Sequence, residues 1–204
     1  LRNAGFDAYP ALLSTRKNGK HTPLYPILRQ FNYVIAEVMI DDEILLLDAV
    51  DPVLPAGMVS FRCLNDQAWS LRGEQGTWIN VPAQKSLKIV HINLKLEEDG
   101  SAAGFIKSTY KGYDAVSQRR EAISSKENIY IEEGIKEDIP NVKIDSLVFK
   151  NRDNINAKFY ETFYLSIPEA AEVAGDLIYF NPLLNQGWEK NPFKLDERTY
   201  PINL

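Results

Sequence analysis

Tyr33 and Asp48 are the pair of residues in this chain whose types and spacing suggest chemistry. They stand in QFNYVIAEVMIDDEILLLDAVDP, residues 30–52, which reads as two strands joined by a short acidic turn. Asp48 follows Leu45, Leu46 and Leu47 and is soon followed by Val50, surroundings in which an unpaired carboxylate is costly. An even-numbered connection centred on Asp41 and Asp42 puts Asp48 opposite Ile35. Tyr33 and Asp48 then share one face as diagonal neighbours, about 7–8 Å apart. An odd connection would put them on opposite faces, because side chains alternate along a strand. The expected chemistry is a phenol satisfying a sunken carboxylate, directly or through a neighbour.

The elements that must hold this pair follow from pattern. FDAYPALLST, residues 6–15, reads as a strand in which Pro10 marks an edge or a bulge. Residues 16–29 carry Gly19, Pro23 and Pro26 and form a loop. FNYVIAEVMI, residues 31–40, is apolar on both faces apart from Asn32, Tyr33 and Glu37, which suits a central strand. EILLLDAV, residues 43–50, is the next strand. At the start, LRNAG reads as the last turn of a helix closed by Gly5 in a left-handed conformation. A helix so short does not nucleate alone, so the chain is expected to be a piece of a longer protein.

Residues 61–84, with Gly73, Gly76 and Pro82, lack a regular pattern and are expected to join two domains. Residues 85–110 predict a long hairpin turning at Asp99-Gly100. GYDAVSQRREAI, residues 112–123, predicts a short helix, and the Ser124/Glu127 capping-box spacing predicts another after it. VKIDSLVFK, NAKFYETFYLSI and DLIYFN then read as strands, the last set off by Gly175-Asp176. The tail NPFKLDERTYPINL ends on apolar residues, as a continuing strand would.

LRNAGFDAYPALLSTR, FNYVIAEV and LLLDAVDP together resemble the second half of the transglutaminase-like core, the papain-related thiol fold. The resemblance implies that a catalytic cysteine opens the helix ending in a segment like LRNAG, upstream of Leu1 and outside this chain. It implies a histidine on the following long strand, at the position of Tyr33, and an orienting aspartate on the next strand, at Asp48. EEDGSAAG, YDAVSQRR, LIYFNP and NPFKLDERTYP are similar to the uncharacterised β-rich module that follows this core in large bacterial proteins. Between them the two resemblances span nearly the whole chain. They imply export, to the periplasm or the cell surface of a bacterium.

The substitution at Tyr33 bears on the chemistry. An imidazole titrates near neutrality and can take a thiol proton and return it. A phenol titrates near pH 10 and is protonated at neutral pH, so it does not form the thiolate–imidazolium pair that activates such a cysteine. No catalytic set is intact within these residues, and whether a parent protein is an enzyme rests on what lies outside them.

The remaining candidates read as structural. Cys63, in FRCLND, is the only thiol, and falls in a loop with no histidine near it in sequence. It excludes an internal disulfide and a cysteine-rich zinc site. His21, in the Pro-rich loop, reads as a solvated side chain within swinging reach of Asp48, and His91 as an outward strand residue. No metal site and no cofactor is expected: DDE and EED lack the ligand order of a calcium loop, and GEQG lacks a phosphate-loop pattern. Tyr160, Phe163 and Tyr164 pack on a sheet or form a platform for sugar or peptide. A net charge of -5 from 23 basic and 28 acidic residues, with no basic run beyond SQRREA, speaks against a nucleic-acid partner. The longest apolar run, ILLLDAV, is far below the roughly 20 residues of a membrane helix.

The sequence therefore predicts an α+β chain, mostly antiparallel. Residues 1–60 would be the remnant of a transglutaminase-like sheet, 61–84 a junction, and 85–204 a β-rich, sandwich-like module with one or two short helices, truncated at its C-terminus. The leading function is a non-catalytic scaffold or binding region. The alternatives are a fragment of a thiol-dependent acyl-transfer or peptide-hydrolysing enzyme, and a protein- or glycan-binding β-module. The partner would be an unidentified protein, peptide or glycan, and an apolar patch near Phe6 would favour self-association.

Overall fold

Two aspartates set the register of the first sheet. Asp41 and Asp42 both have positive φ, 49° and 65°, a geometry that short polar residues tolerate better than most and that closes a two-residue hairpin turn. The turn joins β2 (Tyr33–Ile40) to β3 (Glu43–Leu47), with Ile40 opposite Glu43 and Ala36 opposite Leu47. The computed structural model describes residues 1–136, 138–139 and 141–184. The chain divides into one unit running from Leu1 to Lys85 and a second beginning at Ser86.

In the first unit, β1 (Ala8–Leu13), β2, β3, β4 (Gln67–Ser70) and β5 (Thr77–Asn80) form one antiparallel sheet in the order β3-β2-β1-β4-β5. One face carries Ala11, Leu13, Ile35, Leu46, Ala68 and Ile79, all buried. The irregular stretch after β3 adds Val53, Leu54, Met58, Val59, Cys63 and Leu64 to the buried set. Three-residue 3-10 turns at Arg2–Ala4, Arg16–Asn18, Leu28–Gln30 and Phe61–Cys63 shape the connections. Gly5, at φ 85°, closes the first of these turns as the sequence predicts. Phe6 is about half exposed, at 47%.

Two expectations for this unit need correction. Residues 61–84 are not only a junction, since they contribute β4 and β5 to the sheet. Pro10 lies at neither an edge nor a bulge, because β1 is flanked by β2 and β4. Its carbonyl accepts from the Leu71 amide at 2.9 Å. In an antiparallel strand a residue's N and C=O point to the same side, so the proline nitrogen also faces β4. Proline has no N–H to return that bond to Leu71, and the ladder with β4 consists of only Ala11↔Ser70 and Leu12↔Trp69.

The second unit is built on β6 (Leu87–Leu96), β7 (Ala102–Lys111), β8 (Lys143–Lys150) and β9 (Phe159–Ile167), antiparallel in the order β6-β7-β9-β8. The expected hairpin turns at Gly100, whose φ is 83°. A second close approach occurs at Gly104, where a Cβ would fall 2.1 Å from the Asn93 carbonyl oxygen. Helix α1 (Tyr113–Ser124) and helix α2 (Glu127–Ile131), which runs on through a wide π turn at Glu132–Lys136, supply the layer against the sheet. Ile106, Tyr110, Phe159, Phe163 and Leu165 meet Ala115, Ala122, Tyr130 and Ile135 in the core. A small hairpin, β10 (Ala171–Ala174) and β11 (Leu177–Phe180), follows. The class is α+β and mostly antiparallel, as the sequence predicts.

Here too the local chemistry differs from expectation. Ser124 does not cap α2, because it is the last residue of α1 and its hydroxyl donates back to the Glu121 carbonyl. Ala171–Ala174, unmarked by any strand pattern, pairs as β10. The tail motif NPFKLDERTYPINL lies outside the described residues. Arg119, which the helix places on its inner side, is fully buried. Its guanidinium donates to the carbonyls of Asn151, Asn154 and Ala157 at 3.4, 3.1 and 2.9 Å, tying α1 to the β8–β9 connection.

Candidate functional site

Tyr33 opens β2, and Asp48 follows the last residue of β3. With Ala36 opposite Leu47, continuing the register sets Asp48 against Ile35 and on the same face as Tyr33. The phenol donates to Asp48 Oδ1 at 2.8 Å. The Ser60 amide donates to Asp48 Oδ2 at 2.9 Å, and the Val50 amide reaches Oδ1 at 3.4 Å. Asp48 is buried. Burial alone would push its carboxyl up, but hydrogen bonds from the Ser60 hydroxyl and amide, the Tyr33 hydroxyl and the Val50 amide outweigh it and hold Asp48 below the usual carboxylate range.

The guanidinium of Arg62 lies over the Tyr33 ring, 4.7 Å from its centre. Burial raises the phenol above its ordinary value, Arg62 opposes that, and the Asp48 bond and charge add to it, leaving a net rise. The site is thus a neutral hydroxyl donor, an ionised acceptor and a cation stacked on the ring. It can hold a fixed charge in place, but it has no group that takes a proton from a thiol at neutral pH.

Cys63 lies closer to this site than its loop position suggests. It ends the turn at Phe61–Cys63, one residue after Arg62, and is fully buried. Burial, helped by the charge of Asp48 and opposed by Arg62, pushes its thiol up to about 12. It stands beside the pair as a protonated, packed side chain.

His21 does not reach Asp48. It stacks on Trp78 of β5, with ring centres 4.5 Å apart, and β5 is the edge strand farthest from β3. Trp78 also pairs with Trp69, which lies opposite Leu12, so this ring cluster occupies the other face of the sheet from Tyr33. His21 is packed there and not solvated, and burial lowers its pKa. His91 is exposed on β6 and stacks on Phe105 at 6.0 Å. Phe163 faces the core, whereas Tyr160 and Tyr164 lie on the opposite face of β9. Among the described residues no group of three or more His, Cys, Asp and Glu could hold a metal ion. Among the same residues no helix is long and apolar enough to cross a membrane.

The sequence did not single out Ser60 and Arg62, which complete the site, nor two buried carboxylates elsewhere. Glu37 is fully buried on the core face of β2 beside Arg72, with Nε and Oε1 3.5 Å apart. Glu161 on β9 accepts a hydrogen bond from Tyr110 of β7 on one oxygen and from Tyr130 of α2 on the other. Burial and the Glu161 charge push both phenols well above their ordinary value. A cavity of about 320 Å³ adjoins this clasp, bordered by Lys88, Gln118 and Glu121. With both oxygens of Glu161 taken, the cluster reads as a staple between sheet and helix layer.

Comparison with known proteins finds no matching family model, no matching curated protein and no matching solved structure.

Proposed function

We propose that this chain is a non-catalytic scaffold or binding region of a transglutaminase-like protein, exported in a bacterium, in which Tyr33 occupies the place of the histidine. The hydrogen bond from the Tyr33 phenol to Asp48 carries the proposal. In a thiol enzyme of that kind the aspartate orients an imidazole that exchanges a proton with the nucleophile. Here the group oriented is a phenol whose pKa is raised. It keeps its proton at neutral pH, and the nearby thiol is held protonated by burial. The pair therefore serves as a fixed polar brace between β2 and the segment around Ser60.

The test is a thiol-directed acylating probe applied to this chain and to any longer natural form that contains it. No labelling, with or without Tyr33→Phe, is the expected result. Labelling of the longer form that Tyr33→Phe abolishes would overturn the proposal and favour a thiol-dependent acyl-transfer or hydrolytic enzyme with an unusual base.

A further inference from the structure

The four-stranded sheet of the second unit has one face packed under the helices and one face open, and their charges differ sharply. Pairing partners share a face, so the register assigns each residue. Thr162 stands opposite both Lys107 and Val148, Tyr160 opposite Thr109 and Lys150, and Tyr164 opposite Phe105 and Ser146. These are the even positions of β9, alternating with buried Phe159, Glu161, Phe163 and Leu165. Lys111 and Lys143 fall on the same open face. The only acids within the four strands are Glu161, which faces the core, and Asp145, the unpaired residue of a bulge in β8. A chain of net charge -5 has gathered lysines on one open surface.

Two of these lysines approach the same ring. The Lys107 and Lys150 ammonium groups lie 5.4 and 5.7 Å from the centre of the Tyr160 ring. Neither has an ion-pair partner among the described residues. Like charges drawn to one ring without a counter-charge make a place for an anion. Four residues along β9, about 13 Å away at strand spacing, Tyr164 is 45% exposed beside Phe105. Threonine and serine hydroxyls lie between and around them at Thr109, Thr162 and Ser166.

We infer that this open face binds an acidic polysaccharide, with sugar carboxylates on Lys107 and Lys150 about the Tyr160 ring and a neighbouring sugar ring against Tyr164. The separation of the two subsites calls for a chain of sugars and not a single one. Single-stranded nucleic acid fits less well. It is held by a series of open stacking rings, whereas on this face His91, Phe105 and Tyr164 are packed against one another, with ring centres 6.0 and 6.1 Å apart, and the two lysines flank Tyr160. This surface shares no residue with Tyr33 and Asp48, so it stands whether or not the first unit belongs to a living enzyme.

The experiment is isothermal titration of the whole chain with oligogalacturonate, neutral dextran of similar length, and oligouridylate, at low and at moderate salt. Oligogalacturonate should bind, more weakly as salt rises, and dextran should give no measurable heat. Lys107→Ser with Lys150→Ser should weaken binding by about tenfold or more. Lys107→Arg with Lys150→Arg should bind within about threefold of the parent, since the charge is kept. Tyr164→Ala should weaken binding, and Lys17→Ser in the first unit should not change it. All positions altered are on the surface, and a melting curve confirms that each variant folds. Failure of oligogalacturonate to bind, unchanged affinity in the double serine variant, or equal or tighter binding of oligouridylate would overturn the proposal.

Discussion

Replacing Tyr33 with phenylalanine removes one oxygen and leaves a buried carboxylate with one donor fewer. Hydrogen bonds to charged groups contribute about 1.5–3 kcal/mol each. Asp48 keeps the Ser60 amide at 2.9 Å on its other oxygen, which places the expected loss near the low end, about 1.5 kcal/mol. The first unit runs from Leu1 to Lys85, and in a domain of that size each kcal/mol moves the midpoint by about 4–8 °C, so Tyr33→Phe should melt roughly 6–12 °C lower. Tryptophan fluorescence is the assay, because Trp69 and Trp78 sit in the first sheet. The pH dependence supplies an independent check. The folded Asp48 pKa is lowered, so its contribution is complete above the unfolded value of about 3.9 and is lost as pH falls through the folded one. The gap between parent and variant should accordingly narrow in acid. A shift under about 2 °C at pH 7, where about 6 °C is the least expected, or a gap that widens on acidification, would refute the reasoning.

Cys63, with its thiol pushed up to about 12, should resist iodoacetamide at pH 8 in the native protein, since roughly one thiol in ten thousand is ionised there. It should react fully once denaturant is added, and mass spectrometry reads both states. Glu161→Ala leaves the hydroxyls of Tyr110 and Tyr130 buried without their acceptor and should cost the second unit about 3 kcal/mol, measured by urea denaturation. Gly104→Ala drives a methyl into the Asn93 carbonyl, and should destabilise the β6–β7 pairing by about 3 kcal/mol while Gly134→Ala, with nothing near its Cβ, changes little by the same measurement.

Much of the fold is written in short-range chemistry. The Asp41-Asp42 turn fixes parity, parity fixes the face, and the face brings Tyr33 to Asp48. The Asp99-Gly100 turn and α1 are legible for the same reason, since each is specified by neighbours in sequence. What sequence did not disclose depends on contacts far along the chain. β4 and β5 have weak patterns, with Trp69 and Trp78 partly exposed, and are strands because β1 offers its free side. Ser124 looked like a cap because the spacing was right, yet α1 runs long enough to absorb it. Ser60, Arg62 and Cys63 join the site only because the segment after β3 returns to it. The lysines of the open sheet face are spread from residue 95 to residue 150, so no run of sequence shows them as a cluster.

The buried Arg119 has a dynamic corollary. A guanidinium that grips three carbonyls of the 151–157 bend from within a helix cannot release one partner without stranding its charge in the interior. Helix and bend must then open together or not at all. The Ala157 amide, which donates to the Asn154 carbonyl within that bend, should therefore exchange with solvent at the pace of the whole second unit and not at the fast pace typical of loops.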